Sequence, residues 1–273
     1  MGRLLYPAQV DELRRVAARD HPLPESLDGS FSLSAAFELA ASAHTGRPRL
    51  ADACSRWAKS QDLLHAALSA FRGHPPEAGE VFGAPAAEIR VAPADGDEMA
   101  GFLWTEHRDR FGRSLSTIAG VPSQTARAIT AAYAEMVDNV ICHASSRGAP
   151  RPPAIVGFSV SSTEFEFAVS DLGRGVLASL HDRGVNRRLT THGDALRAAI
   201  QEGATRRPYS TGHGFKDLHV ALADLEGVLR FRSGDAALSL DGQGQPRRAV
   251  LGSSPALGGL QLGVRCSAPR RRT

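Results

Sequence analysis

From Ser123 to Ala144 the sequence carries uninterrupted helical periodicity with two chemically different faces. An α-helix turns by about 100° per residue, so Ile129, Tyr133, Met136 and Val140 fall on one narrow apolar stripe. Glu135, Asn139 and His143 form a second stripe, roughly opposite, at every fourth position. A helix with one apolar stripe needs a layer to bury it against, and a sheet is the layer this stripe suits. The polar stripe has two explanations: the solvated face of a surface helix, or one wall of a site. Ser123 is placed to cap the helix start, and Gly148 and Pro150 follow at the spacing of a helix stop.

The chain downstream supplies the sheet. Ile155 to Val160 and Glu164 to Ser170 read as a hairpin, with alternation in Phe165-Glu166-Phe167 and a polar turn at Ser161-Ser162-Thr163. The second strand runs into Asp171-Leu172-Gly173-Arg174-Gly175-Val176. A short helix is expected from Asp194 to Gln201. A loop rich in cations, hydroxyls and glycine follows, Arg206 to Gly214, leading into a helix from Phe215 to Leu225. Strands are expected at Val228 to Arg232, Ala236 to Leu240 and Leu260 to Cys266. This order predicts an α/β (α+β) two-layer sandwich, a mixed and mostly antiparallel sheet with helices on one face.

Residues 1–115 read as a mostly helical region without a chemical motif. Val10 to Ala18 is an amphipathic helix ended by His21-Pro22, and Ser32 to Ala40 is read as helix rather than strand. Leu50 to Phe71 is expected as one helix with Trp57, Leu64, Leu68 and Phe71 in the core, and Glu88 to Ala92 as a short strand. Residues 267–273 form a basic tail. Three of the charges behind the net +3 are Arg270, Arg271 and Arg272, so the body is near neutral and has no strong nucleic-acid footprint. Cys54, Cys142 and Cys266 are too far apart and too few for a disulfide framework or a zinc site, which points to a reducing cytoplasm. The sequence has no signal-peptide core and no stretch approaching a membrane span. A soluble cytoplasmic protein is expected.

Gly212-His213-Gly214 at a helix start lets backbone N–H groups approach an anion, where the first turn adds unpaired donors and the positive dipole end. Arg206, Arg207, Ser210 and Thr211 are suitable phosphate neighbours. Taken singly, this element and Asp171-x-Gly-x-Gly are each no more than a turn. Their order after Glu135-x-x-x-Asn139 is more informative. The set closely resembles the N, G1 and G2 boxes of the Bergerat-fold (GHKL) ATPases, which include histidine kinases and anti-sigma-factor serine kinases. The resemblance covers residues 116–266, as a histidine-kinase-like ATP-binding domain.

The resemblance implies a site for ATP and Mg²⁺. Asn139 would hold the metal through its amide oxygen, a hard ligand for a hard cation. Glu135 would be the catalytic residue, polarising a water or protein hydroxyl for attack on the γ-phosphate. Asp171 would accept a hydrogen bond from the adenine amino group, with Gly173 and Gly175 giving the base room. Arg206, Thr211, Gly212, His213 and Gly214 would surround the phosphates, and His181 to Thr211 would form a mobile lid. Phe215 departs from the more usual leucine, and His192-Gly193-Asp194 is glycine-poor where a further glycine-rich box is common, which puts the lid's details in doubt.

A phosphoacceptor histidine on a dimerisation hairpin is not expected. His107 stands too near Glu135 to leave room for one and reads as a surface residue. A following transducer domain with a catalytic lysine is not expected. The expectation is a compact cytoplasmic protein kinase or ATPase acting on a signalling partner, with a homodimer allowed. The alternative is a nucleotide-dependent partner-switching module without turnover.

Overall fold

The computed structural model describes residues 4–46, 48–76, 84–93, 98–146, 149–182, 188–201, 222, 225–241 and 249–269. The chain begins with α1 (Pro7–Ala18), α2 (Leu33–Thr45), α3 (Pro48–Trp57) and α4 (Asp62–Phe71), and β1 (Leu4–Leu5) pairs in parallel with β2 (Ser30–Phe31). Next come β3 (Ala86–Val91), α5 (Glu98–Thr117), α6 (Ser123–His143), and the hairpin of β4 (Ala154–Val160) and β5 (Glu164–Asp171). Then follow α7 (Gly175–His181), α8 (His192–Gln201), β6 (Val228–Asp241) and β7 (Val250–Ser267). The main sheet has the order β3-β4-β5-β7-β6, antiparallel throughout.

Side chains alternate across the sheet, and both faces are covered. Val156, Phe158, Phe165, Phe167, Val169, Phe231 and Leu262 join Phe111 of α5 and the apolar stripe of α6 in one core. Ile155 and Ala168 point the other way, into a second core built from α1 to α4 around Phe37, Trp57 and Leu64. The expectation of helices on one face therefore needs correction. The alternation in Phe165-Glu166-Phe167 is real, but Glu166 is buried rather than solvated. Its carboxylate accepts from Leu33 N (2.7 Å), Ser34 N (3.0 Å) and Ser34 Oγ, capping α2 against the sheet.

Other boundaries move for local reasons. The expected helix from Leu50 to Phe71 is two, broken at the polar run Lys59-Ser60-Gln61, where Ser60 Oγ donates back to the Trp57 carbonyl. Ser123 is the first residue of α6 rather than its cap; Pro122 holds the cap position, without a side-chain hydrogen bond. The two strands expected at 228–232 and 236–240 form one, β6, with irregular register between Ser233 and Ala236. Apart from Leu222 and Leu225, the helix expected from Phe215 lies outside the described residues.

α5, 20 residues long, buries only His107, Phe111, Ser114 and Leu115. So narrow a buried edge leaves little periodicity to detect. His107, expected on the surface, is fully buried: its Nε2 lies 2.8 Å from Tyr133 Oη and its Nδ1 3.3 Å from Glu88 Oε2. Arg90 and Arg110 also reach the Glu88 carboxylate. β3, which carries Glu88, pairs with β4 from Ala86↔Val160 to Val91↔Ile155. Position 115 itself falls inside α5.

On the second face, Asp11 of α1 and Glu38 of α2 meet Arg230 and Arg232 of β6. Arg230 Nε lies 2.7 Å from Glu38 Oε1, and Arg232 Nη1 lies 2.6 Å from Asp11 Oδ1. Arg14 donates to the carbonyls of Pro255 (2.7 Å) and Ala256 (2.9 Å), and Arg232 also donates to Pro255 O. At Asp11 desolvation is the largest single influence, but Arg230, Ser254 and Arg232 together outweigh it and hold the carboxyl below its ordinary value. At Glu38 desolvation wins and pushes the carboxyl up to about 7. Removing one partner from such a buried set costs about 3–5 kcal/mol, because the remaining charge is left unpaired. Among the described residues, no helix is long and apolar enough to cross a membrane.

Candidate functional site

α6 is seated by its apolar stripe: Ile129, Tyr133, Met136 and Val140 are all buried against the sheet. That orientation leaves Glu135 exposed and Asn139 half-buried one turn later, on the same side. His143 is half-buried near the helix end, and Asp138 is exposed. The end of α6 is clasped by the turn after β5. Arg174 N donates to Ala144 O (3.1 Å) and Arg174 Nε to His143 O (3.2 Å). The guanidinium, held also by Asp182 at 2.7 Å, brings positive charge to the negative end of the helix dipole. Arg174 passes in the sequence for a spacer between two glycines; nothing in its spacing marks it as this clasp.

Asp171 ends β5 and is 2 % exposed. Its Oδ1 accepts from Gly173 N at 2.7 Å. Two glycine backbones wall the carboxyl. A Cβ at Gly173 would stand 2.1 Å from Ala144 O and 2.8 Å from Asp171 Oδ1. A Cβ at Gly259, where φ is +75°, would stand 1.9 Å from the Asp171 carbonyl and 2.8 Å from the same Oδ1. Only glycine admits such contact between main chains. Gly175 opens α7, and the N–H of the next residue, Val176, donates to Ser233 Oγ at 3.0 Å. Ser233 in turn donates to Gly259 O at 2.9 Å.

The wall from β7 comes from an irregularity. β6 pairs Ser233 with Leu260 and then Gly234 with Leu257, so Gly258 and Gly259 bulge out of the ladder. A bulge re-aims the residues beside it, here towards Asp171. Gln261, just beyond, donates from Nε2 to the Asp171 carbonyl at 3.0 Å. Ser233, Gly259 and Gln261 are the site residues the sequence did not announce. The Gly258-Gly259 pair inside a strand was the available signal, since paired glycines there mark a bulge or a close approach.

Burial pushes the Asp171 carboxyl up to about 7, although the N–H groups of Gly173 and Leu260 and the charge of Arg151 pull the other way. At neutral pH the group therefore changes charge easily, and a ligand hydrogen-bond donor would favour its ionised form. Arg206, Thr211, Gly212, His213 and Gly214 lie outside the described residues. Of the expected lid, His192 to Gln201 is α8, whose Ala195, Leu196, Ala199 and Ile200 are buried in the core beside β6. That part of the segment is anchored, because its apolar residues fall on one helical face.

Among the described residues, no group of three or more His, Cys, Asp and Glu side chains could hold a metal ion by itself. A Mg²⁺ carried on phosphates asks less of a protein: one or two oxygen ligands complete a shell made largely of phosphate and water. The half-buried Asn139 amide fits that requirement. Cys54 and Cys266 are buried thiols pushed up to about 12, and Cys142 is half-buried; none of the three forms a disulfide.

α5 and α6 form an antiparallel hairpin with an open groove of about 730 Å³ between them. Glu135 stands at one end, Ser123 at the other, and Arg108, Arg113, Arg127 and Thr130 line the length. No protein-family model matches this chain, and no curated protein matches it.

Proposed function

We propose that this protein binds ATP with Mg²⁺ in the manner of the Bergerat-fold ATPases and acts as a cytoplasmic protein kinase or ATPase on a protein partner. The observation that carries the proposal is the glycine-walled, buried carboxyl of Asp171, joined through Arg174 to the end of the helix that carries Glu135 and Asn139. A buried acceptor with little room around it suits the flat edge of a base bearing an amino group. In this proposal Asp171 accepts from the adenine amino group, and Gly173 and Gly259 keep side chains out of its way. Asn139 would ligate Mg²⁺, which supplies charge neutralisation on the phosphates. Glu135, exposed one turn earlier, would take the proton of the attacking oxygen. The bond from that oxygen to the γ-phosphorus forms as the bond to ADP breaks.

Calorimetric titration of ATP with Mg²⁺ tests the proposal on the wild type and on Asn139→Ala. Binding is expected for the wild type and about tenfold weaker binding for the variant, the loss of one oxygen ligand. Glu135→Ala should bind ATP as the wild type does and fail to turn it over. A flat titration of the wild-type protein refutes the proposal.

A further inference from the structure

The groove between α5 and α6 carries charge that nucleotide binding does not use. Ser123, Arg127, Ala131 and Glu135 advance four residues at a time and form a slowly winding line on α6. The groove follows that line from the start of α6 to Glu135. From Ser123 to Glu135 the helix rises by about 18 Å, the span of roughly five or six extended residues. Gly112 lets Thr130 come close at mid-length: a Cβ there would stand 3.1 Å from Thr130 Oγ1.

The charges are unevenly distributed. Arg113 and Arg127 are exposed and have no ion-pair partner among the described residues. Arg108 lies 3.6 Å from Asp109, an exposed pair that holds little energy. At the Ser123 end, the first turn of α6 lacks a side-chain cap, so its N–H groups and positive dipole end add to the arginines. At the other end stand the carboxylates of Glu135 and Asp109, the latter paired with Arg108. The groove thus runs from positive to negative. A polynucleotide, charged at every unit, does not match that gradient. A short peptide with acidic residues first and a neutral donor last does.

We propose that this groove docks an extended acidic segment of a partner protein and leads its neutral end to Glu135. What happens at Glu135 rests on the proposed nucleotide chemistry; the docking does not.

The test uses fluorescence anisotropy on the full chain, with a labelled hexapeptide of four glutamates followed by glycine and serine. The same peptide with lysines in place of glutamates, and a six-nucleotide oligothymidylate, serve as comparison probes. The acidic peptide should bind, the basic one should not, and the double variant Arg113→Glu/Arg127→Glu should bind the acidic peptide about tenfold more weakly or less. Arg113→Gln/Arg127→Gln should fall between. Both positions are exposed, so both variants should keep the wild-type melting curve. Equal binding of the two peptides, wild-type affinity in the charge-reversal variant, or preference for the oligonucleotide would each overturn the proposal. ATP calorimetry on the same samples separates the two proposals. A flat ATP titration with arginine-dependent peptide binding sinks the nucleotide proposal alone, and ATP binding without peptide binding sinks the docking proposal alone.

Discussion

Asp171→Asn is the substitution for which the structure makes the most demanding prediction. The wild-type carboxyl is raised from 3.8 to about 7, chiefly by desolvation. A carboxyl raised on folding keeps its proton in the native state while the unfolded chain has lost it. Native stability therefore falls as pH rises from about 4 to about 7. Three units at about 1.4 kcal/mol each set a ceiling of about 4 kcal/mol on that fall; relaxation around the buried charge reduces it, and at least about 2 kcal/mol should remain. Asparagine cannot titrate. Its amide also presents N–H where the carboxylate presented an acceptor, so it loses a backbone hydrogen bond and shifts its stability by an amount independent of pH. The difference between the wild-type and variant curves isolates the proton, since every other titrating group is common to both. Urea unfolding at pH 4.5, 6 and 8 measures it, and the variant should gain relative to the wild type at each step upward. Over the same range, wild-type ATP affinity should rise with pH, because the adenine amino group needs the ionised acceptor; the variant should bind at least about tenfold more weakly. Parallel stability curves would refute the claim that Asp171 is held against its burial cost.

Four further outcomes follow from named contacts. Glu166→Ala leaves two N–H groups at the start of α2 and the Ser34 hydroxyl without their acceptor, and should cost about 2–3 kcal/mol in urea unfolding. Tyr133→Phe removes the hydroxyl beside His107 Nε2 and should cost about 1–2 kcal/mol. His107 is held below its ordinary value, first by burial, so the native state resists a proton that the unfolded chain accepts below about pH 6.5. Its contribution to stability should therefore fall as pH drops through 6.5, a loss that His107→Gln removes from the pH profile. Gly173→Ala drives a methyl group into Ala144 O and should destabilise by about 1–3 kcal/mol or more, lowering the melting temperature while detaching the turn from α6.

What the sequence showed of this fold came through periodicity. The stripe of Ile129, Tyr133, Met136 and Val140 and the β4–β5 hairpin are local patterns with one solution each. What it concealed came from partners distant in the chain. Phe165-Glu166-Phe167 reads as an ordinary one-sided strand, because nothing near Glu166 says that the start of α2 will cover it. His107 reads as a surface group for the same reason: Glu88 and Tyr133 flank it from a strand and a helix that sequence spacing does not bring together. In the candidate site, Glu135, Asn139 and Asp171 stood out as residue types at fixed spacing. Ser233, Gly259 and Gln261 were not, since they enter through the register of β6 and β7.

That register ties the first four helices to the site. β7 leaves its regular ladder with β6 between Ser253 and Leu260. Within that stretch, Ser254 donates to Asp11, and the carbonyls of Pro255 and Ala256 receive Arg14 and Arg232. Three residues after Ala256 comes Gly259, the backbone wall of Asp171. A proline and a run of irregular pairing would weaken an isolated strand. Here the carbonyls freed from the ladder are taken up by arginines whose own charges need α1 and α2. The buried ions of the second face thus hold the bulge in the shape that brings Gly259 against Asp171. Arg232→Met, which removes one charge from this set, should loosen the wall as well as the helices, so its cost in stability should come with a carboxyl at position 171 that titrates nearer the ordinary range. Carboxyl chemical shifts followed against pH in the folded variant would register the change, and an unaltered titration of Asp171 would separate the two faces of the sheet.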